Sequence, residues 1–151
     1  MIEIRGPWDL PTAERWLENC RFPIRLACTA QDGFPRVVSV WFLYRNGTFF
    51  SVSHRDASLV KLLRASAKVG FEVSPNEPPY HGVRGQGVVT LHSEGAEEIL
   101  ESVIDRYLGD SNNDLAKWLL SRKEEEVLIE LHPQRFFSWD YRNRMEPVSS
   151  G

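Results

Sequence analysis

The residues best able to do chemistry in this chain gather between Gly33 and Lys61. Arg36 opens an apolar run, Asn46-Gly47 interrupts it, Ser53 and His54 close it, and Ser58 and Lys61 follow at the i, i+3 spacing that shares one helix face. A guanidinium, an ammonium, hydroxyls and the amides of a helix start, brought to one point, suit a phosphate monoester. They offer charge-assisted hydrogen bonds to its oxygens and the positive end of a helix for its charge. His54 and Arg55, in the loop before the helix, are further donors for the same anion or for a hydroxylated chain attached to it.

Such a site needs elements to hold it. Asn46-Gly47 reads as a hairpin turn between a strand starting at Arg36 and a strand over 48–53. In the first of these, Arg36, Val38, Val40 and Phe42 share one face and Val37, Ser39, Trp41 and Leu43 the other, a pattern expected of a strand covered on both sides. Leu59, Leu62 and Leu63 mark the helix that carries Ser58 and Lys61. Upstream, Ile24, Leu26 and Cys28 alternate with Arg25, Ala27 and Thr29 before a Gln31-Asp32-Gly33 turn, and a helix over 11–20 is expected with Thr12 as its cap.

Downstream, Val69, Phe71 and Val73 indicate a strand with one wet face, and Pro75 to Pro79 break the chain before a long strand over 83–92. Gly85 and Gly87 lie on its apolar side, where they permit a bulge or the close approach of a flat ligand. A helix follows over 96–108, then a shorter one holding Leu115, Trp118 and Leu119. Glu124-Glu125-Glu126 reads as a solvated loop or strand start, and Val127, Ile129 and Leu131 begin a last strand that resumes after Pro133 toward Trp139. Six strands joined mostly by hairpins predict a mainly β, α+β architecture built on a closed antiparallel sheet rather than βαβ winding.

The 151 residues make one domain, and 42% hydrophobic content supplies a core. A net charge of −3 argues against nucleic acid as a partner, so any basic site is local. No apolar run approaches the roughly 20 residues of a membrane helix, and a cytoplasmic protein is expected. Cys20 and Cys28 have no companions at ligand spacing, so neither a metal site nor a structural disulfide is expected.

Three stretches resemble the pyridoxamine 5′-phosphate oxidase-like, FMN-binding split β-barrel superfamily: residues 33–42, residues 49–69 with Ser53, Ser58 and Lys61, and residues 78–87. The resemblance covers roughly residues 12–142. It implies a six-stranded antiparallel split β-barrel with short flanking helices, forming a homodimer with FMN in the clefts between subunits. It implies that Arg36, Ser53, Ser58 and Lys61 hold the phosphate, with His54 near it. Val38, Ser39 and Val40 would meet the flavin ring through their backbone. Arg84, with Tyr80 and Gln86, would approach from the facing subunit, and Trp139, with Arg142 and Arg144, would close the site.

Where the pyridoxamine phosphate oxidases carry an Arg-x-His element, this chain has Trp139-Asp140-Tyr141-Arg142-Asn143-Arg144, so that particular oxidase activity is not expected. Two-electron redox chemistry on a small organic substrate is the expected function, with no side chain standing out as a catalytic acid or base. Two alternatives stay open. One is a deazaflavin-dependent reductase, for which Arg55, Arg64 and Arg84 supply extra positive charge. The other is a non-catalytic flavin or haem binder, with His54, His81, His92 and His132 as the available axial ligands.

Overall fold

Alternating apolar residues build eight strands into one sheet in the computed structural model, which describes residues 2–145, the last two by backbone alone. The strands are β1 (Glu3–Arg5), β2 (Ile24–Thr29), β3 (Pro35–Val40), β4 (Leu43–Arg45), β5 (Thr48–His54), β6 (Lys68–Val73), β7 (His81–His92) and β8 (Glu126–Asp140). Their order is β3-β2-β6-β7-β8-β5-β4, with β1 added in parallel on β8 and every other pairing antiparallel. Only Trp41 and Phe42 separate β3 from β4 in the chain, yet these strands end opposite edges of the sheet. The sheet must therefore curl until its edges approach, which makes a half-barrel that hydrogen bonds do not close.

The antiparallel split barrel expected from the sequence is thus present, with two differences. The second expected strand is divided at Trp41-Phe42, and β1 is added at the N-terminus. The division has a physical cause. The Phe42 N–H donates to the Tyr107 hydroxyl at 3.3 Å and the Trp41 carbonyl accepts from the Ser51 hydroxyl at 2.8 Å, so both groups leave the ladder satisfied. The turn after β4 has Asn46 at φ 52° and Gly47 at φ 76°, the left-handed pair a tight hairpin needs.

Inside the half-barrel Phe49 sits among Phe42, Tyr44 and Phe71, with ring centroids 5.4, 4.9 and 5.1 Å away. Gly85 and Gly87 flank a register shift between β7 and β8. A Cβ on Gly85 would lie 2.0 Å from the Arg135 carbonyl oxygen and 2.7 Å from Phe71. These glycines therefore serve the bulge and the contact of two backbones, and the flat-ligand option is set aside.

Helix α1 (Leu10–Asn19) is capped by Asp9, whose carboxylate accepts the Thr12 N–H at 2.9 Å, so Thr12 is the donor at this cap and not the capping residue. Helix α2 (Ser58–Ala65) buries Leu59, Val60 and Leu63. Helices α3 (Ala96–Tyr107) and α4 (Asn113–Leu120) form a second apolar cluster with Trp41, Phe50, Val52 and Leu128. A final turn, α5, spans Arg142–Met145. Arg106 ties this cluster to α1: its guanidinium donates to the carbonyls of Leu17, Glu18 and Cys20 and lies 4.8 Å over Phe42. Among the described residues no helix is long and apolar enough to cross a membrane.

Candidate functional site

Arg36, Ser58 and Lys61 line one cavity of about 540 Å³, between the start of β3 and the first turns of α2, together with Thr29, Ala30 and Asp32. Each arrives there for a local reason. Arg36 pairs in register with Cys28 and so points to the barrel side of β3, but at the mouth, where its side chain stays exposed. Ser58 is the first residue of α2, and Lys61 lies one turn on, on the face opposite buried Leu59 and Leu63. Ala57 caps α2 without a side-chain hydrogen bond, which leaves the helix's first N–H groups to other acceptors. Ser58 is therefore not the cap. Asp32 brings an acid into this notch, 3.8 Å from the Arg36 guanidinium.

A second cavity, about 630 Å³, continues along the same seam and is lined by Ser39, Val40, Trp41, Ser53 and His54 on the strand side and by Leu100, Val103, Leu115 and Leu119 from α3 and α4. Ser39 and Val40 stand three and four residues beyond Arg36, so the two chambers are roughly 10 Å apart along β3. Val38 lies between them, half-buried against the core. β3 is a terminal strand, and among the described residues its outer edge carries backbone donors and acceptors with no ladder partner. The expectation that both faces of this strand are covered does not hold within one subunit: Val37 is 67% exposed and neighbouring Phe34 72%.

Ser53 and His54 belong to this second chamber, not to the notch of Arg36, Ser58 and Lys61 where they were expected. The His54 Nδ1 accepts the Asp56 N–H at 3.1 Å, which places the ring proton on Nε2, from which it donates to Glu125 at 2.6 Å. That hydrogen bond holds the Glu125 carboxyl below its ordinary range. The next residue, Glu126, faces the same chamber but is buried, and burial pushes its carboxyl up, with Arg122 and His54 partly offsetting the shift. The expectation of a solvated acidic triplet thus fails at its third member. Glu126 pairs with His54 across β8 and β5, on the sheet face that α3 and α4 cover.

Arg84 and Trp139 lie elsewhere, in a third depression of about 640 Å³ with Arg25, Glu72 and Tyr80. The Arg84 guanidinium sits 5.8 Å from the Phe137 ring and 5.9 Å from Trp139. Ser39, Arg25, Glu72 and Arg84 form one cross-strand row on the outer face. At about 4.8 Å per strand, Arg84 stands roughly 14 Å from Ser39. Within one subunit neither Arg84 nor Trp139 reaches the notch. Arg142 is held by Asp140, at 2.9 Å from Nε and 2.6 Å from Nη2, while the Arg144 side chain lies outside the described residues. Sequence reasoning missed Asp32, Trp41 and Glu126; for Asp32 a signal existed, since a turn acid four residues before Arg36 falls within reach of it.

This architecture is the split β-barrel of the pyridoxamine 5′-phosphate oxidase-like proteins. No family model matches the sequence, and no curated protein matches it. Solved structures do. The conserved hypothetical protein Rv2991 from Mycobacterium tuberculosis aligns with a TM-score of 0.77 at 20% identity, over 96% of this chain and 92% of its own. An F420 reductase aligns with a TM-score of 0.67 at 21% identity, over 80% and 92% of the two chains. A candidate pyridoxamine 5′-phosphate oxidase from Listeria innocua aligns with a TM-score of 0.60 at 16% identity, over 84% and 92%. At these identities the likeness is one of fold.

Proposed function

We propose that the protein is an FMN-dependent oxidoreductase acting as a homodimer on a small organic substrate. The observation that carries this reading is the seam itself: a notch bearing Arg36, Ser58 and Lys61 and, about three residues along the same free strand edge, a chamber with apolar walls. An anionic tail, a hydroxylated spacer and a flat ring match that sequence of environments.

The donor set fits a phosphate. Arg36 supplies a planar fork and Lys61 a mobile ammonium, while Ser58 adds a hydroxyl at the start of α2. The edge of β3 from Val38 to Val40 would orient the ring through backbone hydrogen bonds, with Ser53 at the turn of the seam. Bound there, the flavin supplies the two-electron chemistry; the protein's share is to fix it and to shield one side of it from water. Val37 and Phe34, exposed at the edge strand, support a second subunit as the missing cover. Because residues 139–144 lack the Arg-x-His element of the pyridoxamine phosphate oxidases, pyridoxamine phosphate oxidation is not the reaction proposed. A cytoplasmic setting belongs to the same proposal, since Cys20 and Cys28 are free thiols, the state a reducing compartment maintains.

A deazaflavin is the second reading. Arg64, exposed three residues beyond Lys61 on α2, adds a further positive charge on that helix for a longer anionic tail, and the similarity to an F420 reductase supports the same reading.

The test is the visible spectrum of the freshly purified protein, followed by titration of chromophore-free protein with FMN. Arg36→Ala and Lys61→Ala are each expected to weaken FMN binding by about one to two orders of magnitude, the worth of a charge-assisted hydrogen bond. Wild-type affinity in both variants would remove the notch as the phosphate site.

A further inference from the structure

Helix α4 covers the second chamber without being fastened to it. Helices α1, α2 and α3 each bury apolar residues, whereas α4 buries none. It is nonetheless largely apolar, with Leu115, Ala116, Leu119 and Leu120 half-buried and Trp118 exposed. Ala116, Leu119 and Leu120 rest against the second apolar cluster, while Leu115 and Leu119 face the open chamber. Among the described residues no hydrogen bond or ion pair joins Asn113–Leu120 to another element. Its polar contacts are local, with Asn112 before it and Ser121 and Arg122 behind it.

The segments on either side are fastened. α3 is held by the Arg106 guanidinium and stops at Gly109, which takes a φ of 52° and donates its N–H to the Ile104 and Asp105 carbonyls at 3.2 and 3.0 Å. Past α4, the turn Lys123–Glu125 is tied three ways: Lys123 pairs with Glu97 at 2.9 Å, the Glu125 carbonyl accepts the Arg55 N–H at 2.9 Å, and the Glu125 carboxylate accepts from His54. A two-turn helix is marginal by itself and takes its stability from packing. Pinned at both ends, without polar ties and seated over a cavity, α4 can leave its seat at little cost while its neighbours stay folded.

We propose that α4 is a lid, which lifts to admit a flat ring to the chamber and closes on it by setting Leu115 and Leu119 against the ring. The inference rests on the cofactor reading for the identity of the ring, whereas the freedom of α4 follows from its packing alone. Closure keeps water from that side of the chamber and makes lid opening the step that governs entry and release.

The test is hydrogen exchange on the full-length protein, read by mass spectrometry over peptides from α3 and α4, first free and then with saturating FMN, lumiflavin or inorganic phosphate. In the free protein the α4 amides are expected to exchange at least about a hundredfold faster than those in the middle of α3, because they open separately. FMN, and lumiflavin, which is the ring without the tail, should each slow α4 at least about tenfold. Phosphate, which enters only the notch, should leave α4 unchanged. Leu115→Ala is expected to speed FMN release about three- to tenfold, with the denaturation midpoint of the flavin-free protein little moved, since Leu115 faces the chamber and lies outside the apolar cluster. Exchange of α3 and α4 at one rate in the free protein, equal protection by phosphate and FMN, or FMN release unchanged by Leu115→Ala would overturn the lid. A protein that takes up no flavin would overturn the cofactor reading alone, with the lid then decided by the free protein's α3 and α4 rates. FMN uptake that leaves α4 exchange as it was would overturn the lid alone.

Discussion

Asp32 offers the sharpest test of the phosphate notch, because the change should improve binding. Its Oδ1 accepts the Phe34 N–H at 3.0 Å, a turn contact that an asparagine preserves, while its Oδ2 lies 3.8 Å from the Arg36 guanidinium. Both side chains are more than half exposed (56% and 58%), so the pair is worth under about 1 kcal/mol and a phosphate can displace it. A phosphate carrying about −1.5 charge at roughly 6 Å from the Asp32 carboxylate, at an effective dielectric of about 60, meets a repulsion of about 1.4 kcal/mol. Asp32→Asn removes that repulsion and frees Arg36, so FMN should bind about three- to tenfold tighter. Quenching of flavin fluorescence on titration measures the effect, and riboflavin, which lacks the phosphate, is the control. Riboflavin affinity should not change. If Asp32→Asn leaves FMN binding as it was, or tightens riboflavin equally, the anion does not enter this notch.

Two further predictions concern what holds the frame. Arg106→Met strips the carbonyls of Leu17, Glu18 and Cys20 of their donor and should destabilise the protein by about 2–4 kcal/mol in chemical denaturation. Arg142 holds the Asp140 carboxyl far below the usual carboxylate range, aided by a hydrogen bond from the Trp8 indole at 3.1 Å. A depressed folded value stabilises the native state above the unfolded carboxyl's value of about 4, and that contribution is lost as pH falls below it. Melting temperatures between pH 2 and 7 should therefore fall less steeply at the acid end for Asp140→Asn than for wild type, and parallel curves would refute the assignment.

Much of the barrel was legible because its signals are local. The alternation in β2 and β6, the Asn46-Gly47 turn and the stripe of α3 each report on a few consecutive residues. What was not legible depends on neighbours remote in sequence. Trp41-Phe42 reads as strand and is broken because Tyr107 and Ser51 capture its backbone. β1 is three residues long and exists only because β8 offers an edge. Glu126 reads as solvated because it ends a run of acids, whereas it is buried beneath a helix pair that the sequence places on no particular sheet face. The grouping of Arg36, Ser58 and Lys61 was legible because only a hairpin and a short loop separate β3 from α2 in the chain. Arg84 and Trp139 entered by resemblance, and one subunit keeps them away.

In the homodimer proposed above, the outer row offers a way for a second copy to bring Arg84 back to the seam. Ser39, Arg25, Glu72 and Arg84 stand side by side on β3, β2, β6 and β7. In a two-fold dimer each patch meets its own copy. An axis passing between Arg25 and Glu72 sets Arg25 against Glu72 of the partner subunit, and the same operation sets Ser39 against Arg84 of the partner subunit. Charge complementarity and delivery of a cation to the seam thus follow from one axis. Arg25→Glu or Glu72→Arg alone would set like charges face to face twice per dimer and should raise the dimer dissociation constant by about two orders of magnitude or more. The double exchange restores opposite charges both within and between subunits and should recover the dimer in sedimentation equilibrium. A double variant no more dimeric than the singles would place the axis elsewhere and leave Arg84 outside the site.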